Sequence, residues 1–231
     1  MKIKVLQTIR QGQIGGGERH VLDLVKGMDK SIYEPVVLSF TDGQMIQELK
    51  ESGIEVHVIY TEKAFDRSVW PKVTEFAKDK GFHIIHAHGT RACSNSYKTA
   101  RDLNLPLLYT VHGWSFHPGQ NPIVRNLRKF FEGRLISKTA ATLFVSNENQ
   151  VTGIKEFKPK RARVVKNGVD LSRFRLDVVS EVRKELNISS DQFLMGYICR
   201  ITLQKDPLTL INAIAIAAKA NPNLHLLMVG D

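Results

Sequence analysis

Several short stretches of this chain combine residue types that hold anions or move protons. QIGGGERHVLDLV, residues 13–25, places Gly15, Gly16 and Gly17 just before a helical pattern. A helix N-terminus offers unpaired N–H groups and the positive end of a dipole, and glycine lets an anion approach the backbone. Three glycines in a row are more than a flexible turn needs, so the stretch reads as a binding loop. It is not a dinucleotide fingerprint. Fitting G-x-G-x-x-G from Gly15 gives Gly15, Gly17 and then His20, and no GK[ST] follows.

HIIHAHG, residues 83–89, carries three histidines. His86 and His88 are two apart, so a strand turns them to one side. A zinc site would need further ligands, and no nearby Cys or carboxylate pair completes a set, so no metal is expected. His88, at the end of the stretch, is placed to line a cleft. YTVHGWSFHPG, residues 109–119, sets His112 after another apolar run. A histidine there can hydrogen-bond a hydroxyl or stabilise a developing charge, or it can simply bond its own loop. His117 is expected in solvent. In CRITLQKDP, Arg200 and Lys205 lie between a strand and a helix. They can neutralise a diphosphate, Arg as a fork and Lys as a point charge, or can be solvated loop cations.

The elements that must position these residues alternate. KIKVLQTI, PVVLSF, IEVHVIY, HIIHAH, PLLYTVHG, ATLFVS and RVVKNGVD read as strands, separated by helical patterns at 18–28, 43–53, 68–81, 90–104, about 121–139 and after Ser146, a candidate N-cap. Strand–helix alternation implies a parallel sheet with helices on both faces. A Rossmann-like α/β domain is expected over residues 1 to about 175. From 176 the rhythm restarts with SEVRKELNIS, FLMGYICRI, PLTLINAIAIAAKAN and HLLMVGD. These supply only two strands, too few to cover a sheet, so 176–231 reads as the incomplete start of a second domain.

The helix at 121–138 interleaves Ile123, Val124, Leu127, Phe130, Phe131, Leu135 and Ile136 with Arg125, Arg128, Lys129, Arg134 and Lys138. Such a helix can lie on an anionic membrane surface, or it can pack one face into a core. The net charge of +10 suits nucleic acid, a membrane or a phosphorylated substrate. No nucleic-acid-binding signature is present, so nucleic acid is not expected. Two distant cysteines, Cys93 and Cys199, form neither a disulfide framework nor a zinc site. No run reaches the ~18 apolar residues of a membrane span, and no signal peptide is evident. The expected location is the cytoplasm, with a peripheral position at the inner face of the cell membrane as an extension.

Taken in order, these stretches resemble a retaining glycosyltransferase of family 4, with the GT-B fold. GGGERHVLDL resembles the family's N-terminal glycine loop and helix. HIIHAH and YTVHG resemble its strand-end histidines. VVKNGVDLSRF resembles its NGVD segment, and RITLQKDPLTLINA its R-x4-K segment. The resemblance implies two Rossmann-like domains, the first holding the acceptor and the second the nucleotide-sugar donor. Gly15, Gly16 and Gly17, with His88, Asn167 and Gly168, would bind donor or acceptor. His112 would lie near the reacting sugar, and Arg200 and Lys205 would stabilise the departing nucleoside diphosphate. No cofactor and no metal are implied. The acceptor would be a glycan or a lipid-linked molecule, in cell-envelope or capsule polysaccharide synthesis.

Two departures qualify the resemblance. Cys199 stands where the family usually has glycine before the arginine. The family's E-x7-E element lies beyond MVGD, so the 231 residues alone are expected not to transfer sugar. Two other readings stay open: a dehydrogenase or GT-B sugar-nucleotide epimerase on the same fold, and a non-catalytic acceptor-binding or membrane-associated module.

Overall fold

The computed structural model describes residues 2–174, 181–202 and 205–230. The expected domain boundary at 175–176, Gln204 of the R-x4-K segment and the terminal Asp231 lie outside them. The chain divides into two compact units, Met1–Asp170 and Leu171–Asp231.

The first unit alternates strand and helix: β1 (Ile3–Ile9), α1 (Gly16–Gly27), β2 (Tyr33–Ser39), α2 (Gln44–Glu51), β3 (Glu55–Val58), α3 (Trp70–Lys80), β4 (Ile84–His88), α4 (Gly89–Asp102), β5 (Leu107–Val111), α5 (Pro122–Ile136), β6 (Ala141–Phe144), α6 (Asn147–Phe157) and β7 (Ala162–Val164). All strands pair in parallel, in the order β3-β2-β1-β4-β5-β6-β7. The order reverses between β1 and β4. In open parallel sheets, ligands bind in the crevice at that switch point, beyond the carboxyl ends of the strands.

Burial follows the two-residue period of a strand. Val36 and Leu38 of β2 join Leu6, Ile85, Tyr109 and Phe144 in a cluster covered by α3, α4 and the end of α5. Val37 points the other way, into a cluster with Val21, Leu22, Val25, Met45 and Leu49 of α1 and α2. Each such side chain contributes about 1.5–3 kcal/mol by leaving water. Helix ends are defined locally. Asn121 accepts from the N–H of Ile123 at 2.9 Å, with Pro122 opening α5. Ser146 caps α6 by accepting from Asn149 N at 3.2 Å, as its position predicts. Gly81, at φ 65°, closes α3 in a left-handed conformation.

The second unit contains α7 (Val182–Glu185), β8 (Phe193–Ile198), α8 (Pro207–Ala220) and β9 (Leu224–Val229). β8 and β9 pair in parallel as a two-stranded sheet. The helix read over SEVRKELNIS is only four residues among the described ones. Asn187 adopts φ 55°, a left-handed conformation that ends it. β3 and β7 are also shorter than their apolar runs suggested, as suits the two edges of the sheet.

Candidate functional site

The reversal between β1 and β4 gathers a polar group at the carboxyl ends of the central strands. His88 ends β4 opposite Ile9 of β1 and Thr110 of β5. Its ring is buried at 1% exposure, so it does not line a cleft as the sequence suggested. It forms a floor instead. Nε2 of His88 lies 2.8 Å from Oε1 of Gln7, a buried β1 side chain. An amide oxygen only accepts, so Nε2 carries the proton and Nδ1 is left as an acceptor. Nδ1 faces Nε2 of His112 at 3.2 Å, and His112 donates that bond. His112, one residue beyond β5, is half-buried above the floor.

Gly17 closes the other side. A β-carbon placed there would sit 3.5 Å from Cδ2 of His112, so the N-terminal turn of α1 packs against the imidazole. His20, one turn further along α1, completes the group. Its ring centroid is 5.0 Å from that of His112 and 5.6 Å from that of His88. Sequence reading treated His20 only as the residue that breaks a nucleotide fingerprint. Its three-residue distance from Gly17 puts both on one helix face, which was the available signal. The fold thus joins His88, from the stretch whose own histidines made an incomplete metal set, to His20 and His112, with ligand atoms within 4.8 Å of one another.

These imidazoles are neutral at pH 7. Burial lowers the pKa of His112 to about 4, with the His20 charge adding to the effect. Burial holds His88 well below its usual value and His86 at about 3. His20 is lowered by burial, with Asp23 opposing. His86 is tied to Thr110 Oγ1 at 2.8 Å and stacks near His88, with centroids 4.2 Å apart.

The glycine loop is set by a contact the sequence did not reveal. A β-carbon at Gly43, which has φ 156°, would fall 2.4 Å from Gln13 N and from the carbonyl carbon of Gly12. One at Gly12 would meet Gly43 N at 2.7 Å. The β1–α1 and β2–α2 loops therefore touch backbone to backbone, and Met45 N donates to Gly12 O at 2.8 Å. A cleft of about 550 Å³ beside this contact is lined by Gln13, Asp42, Gln44 and Lys50.

The His112 loop is held from behind by a buried carboxylate. Glu132 of α5 is fully buried and accepts from Tyr109 of β5, from Thr90 at 3.0 Å and from Ser115 at 3.0 Å. Burial raises its pKa, against the three hydrogen bonds. Arg128 adds a bond to the Ser115 carbonyl at 2.7 Å. Neither residue was singled out from the sequence for this role.

Residues 14–173 match the family model described as Glycosyltransferase Family 4. The chain belongs to glycosyltransferase family 4. A D-inositol 3-phosphate glycosyltransferase of Actinosynnema mirum is 24% identical over 158 residues, covering 64% of this chain and 37% of that protein. One from Mycobacteroides abscessus is 25% identical over 244 aligned positions, covering 100% of this chain and 52% of the relative. The chain therefore spans about half the length of that relative, and about a third of the first. Among solved structures, Anabaena Alr3699/HepE in complex with UDP-glucose superposes with a TM-score of 0.82 at 21% identity, over 99% of this chain and 61% of that one. The first unit has the Rossmann-like parallel sheet of the GT-B fold.

Four other residues that the resemblance implied, Asn167, Gly168, Arg200 and Lys205, are exposed. Asn167 and Gly168 occupy the exposed loop after β7 in the first unit. In the second unit, Arg200 and Lys205 are exposed between β8 and α8. α8 opens with Asp206 accepting from Thr209 N at 3.3 Å. Cys199 directs its thiol to the Arg200 carbonyl at 3.2 Å.

α5 is buried at one end and exposed at the other. Its last turns bury Glu132, Leu135 and Ile136. Its first turns expose Ile123 at 78%, with Val124, Leu127, Phe130 and Phe131 also in solvent. Of its cations, Lys129 pairs with Glu156 at 2.9 Å and Arg128 bonds the loop, while Arg134, and Lys138 just beyond the helix, are exposed. No helix among the described residues is long and apolar enough to cross a membrane.

Proposed function

We propose that this chain forms the acceptor-side domain and the beginning of the donor domain of a retaining glycosyltransferase that uses a nucleotide-sugar donor. The observation that carries this reading is a neutral His112, held on His88 and against Gly17 at the switch point of a family 4 fold. With Nε2 committed to His88, its Nδ1 accepts from a sugar hydroxyl. It brings no positive charge to compete with the oxocarbenium-like centre that forms as the donor bond breaks. Gly15, Gly16 and the α1 N-terminus receive anionic oxygens of donor or acceptor, and Asn167 and Gly168 border the same substrates. Arg200 and Lys205 stabilise the leaving nucleoside diphosphate by direct charge, so the transfer itself takes no metal. Attack comes from the face the diphosphate leaves, and the departing phosphate oxygen accepts the acceptor's proton, retaining configuration.

The acceptor in this reading is a glycan or a lipid-linked molecule of cell-envelope or capsule synthesis. The exposed apolar first turns of α5, with Arg134 and Lys138 exposed at its far end, support a peripheral position on the inner face of the membrane. The test is nucleoside diphosphate release from nucleotide sugars in the presence of lipid-linked and free glycan acceptors. It is run on this chain and on a version extended through a complete second domain. Acceptor-dependent release by the extended form that disappears in His112→Ala supports the reading. Release unchanged by that substitution overturns the role of His112.

A further inference from the structure

We propose that His20, His88 and His112 form a binding site for a divalent transition metal such as Zn²⁺, Ni²⁺ or Cu²⁺, and that the metal blocks the sugar-transfer site rather than serving it. Three features of the group carry this. The donor set is three imidazoles from three elements, α1, β4 and the end of β5, with candidate ligand atoms within 4.8 Å of one another. The His88 Nδ1 to His112 Nε2 separation is 3.2 Å. Zinc–nitrogen bonds of about 2.0–2.1 Å in a tetrahedron set a ligand–ligand edge of about 3.3 Å, so this pair already stands at metal-binding spacing. His88 is also oriented as metal-bound histidines are, with its other nitrogen tied to the Gln7 carbonyl oxygen at 2.8 Å. His20 and His112 are only half-buried, which leaves an entry path. An all-imidazole set selects Zn²⁺, Ni²⁺ or Cu²⁺ over Mg²⁺ or Ca²⁺, which take oxygen ligands.

Binding would change His112 in a defined way. The metal takes the Nε2 lone pair, and the proton that Nε2 donated to His88 moves to Nδ1. No proton is gained or lost by the pair, but the face of His112 offered to a sugar hydroxyl changes from acceptor to donor. The inhibitory consequence rests on the role given to His112 above, whereas the binding site does not.

The experiment is calorimetric titration of the tag-free chain, stripped with chelator, with ZnSO₄, and with MgCl₂ as comparison. Titration with Co²⁺ follows the visible absorption of a four-coordinate ion. We expect one equivalent of Zn²⁺ and no Mg²⁺ binding. Zn²⁺ binding should weaken at least about tenfold in His20→Ala and in His20→Gln, and stay unchanged in His117→Ala. The two His20 variants guard against misfolding, since the residue is half-buried. Absence of stoichiometric Zn²⁺ binding, or binding unaffected by both His20 variants, overturns the site. Because no sugar nucleotide is present, this result is read separately from the glycosyltransferase reading.

Discussion

Nε2 of His112 donates to Nδ1 of His88 across 3.2 Å, and His88 in turn donates to Gln7 at 2.8 Å. The chain of bonds runs from a half-buried ring to the buried centre of the sheet. It fixes both tautomers, so the outer imidazole is held by two buried side chains. Gln7→Ala breaks the chain at its buried end. The His88 N–H is then left without a partner, a loss of about 1–3 kcal/mol. Urea unfolding should register that cost, and an unchanged midpoint would show that the bond has no structural weight.

The same histidines make stability depend on pH. The unfolded chain takes up protons on histidine near pH 6.5, while the fold keeps His112 neutral to about 4 and His86 to about 3, with His88 and His20 also lowered. Between those values the unfolded state binds more protons, so stability falls as pH drops below about 6.5. The slope is about 1.4 kcal/mol per pH unit for each histidine held neutral. Denaturation midpoints measured at pH 7.5, 6 and 5 should decline in that order, and a flat series would contradict the burial of these rings.

Glu132 works with the opposite sign. Burial raises its pKa, so its ionised form is disfavoured in the fold as pH rises above the usual 4.5. Glu132→Gln keeps polar contacts to Tyr109, Thr90 and Ser115 without a charge, and at pH 7 it should be neutral or stabilising. Glu132→Ala leaves the buried Tyr109 hydroxyl and the half-buried Thr90 and Ser115 hydroxyls without this acceptor and opens a cavity, costing about 3 kcal/mol or more. Thermal melts of the two variants separate these outcomes, and equal losses would contradict them.

The loop glycines divide into two kinds. Gly43→Ala or Gly12→Ala forces a β-carbon to within 2.4–2.7 Å of backbone and should cost about 1–3 kcal/mol. Gly17→Ala places its β-carbon at 3.5 Å from His112, an ordinary contact, and should leave the melting temperature nearly unchanged. It narrows the space beside the imidazole, so transfer rather than folding should suffer. Melting curves of the three variants test the division.

The membrane reading of α5 has its own test. Replacing Arg134 and Lys138 with Glu reverses exposed positive charge, and Phe130→Ala removes exposed apolar area. Each should reduce pelleting with vesicles containing anionic phosphatidylglycerol, the charge variants more so at low salt. Equal pelleting by all variants would remove α5 from the membrane surface.

The order of strands and helices was legible because apolar runs and helical periods alternate without a break from Ile3 to Val164. The strand-end positions of His88 and His112 followed from the same pattern. Their partners did not. Spacing along the chain cannot say that β4 lies between β1 and β5, and that order brings Gln7 beneath His88 and His20 above it. Glu132 sat among apolar helix residues with no local sign that three hydroxyl groups converge on it. Gly12 and Gly43, 31 positions apart, announce themselves only when two loops meet. α7 was overread because its helical pattern continues past Asn187, whose left-handed backbone stops the helix.

The proposed role of Arg200 and Lys205 is to hold the diphosphate of a nucleotide sugar. Its most direct test is calorimetric titration of the chain extended through a complete second domain, using UDP-, GDP- and ADP-sugars. One of them should bind at one equivalent, and Arg200→Ala should weaken it about 10- to 100-fold, the worth of charge-assisted bonds to a diphosphate. Failure of the folded, extended protein to bind any of the three, or binding indifferent to Arg200→Ala, would contradict it.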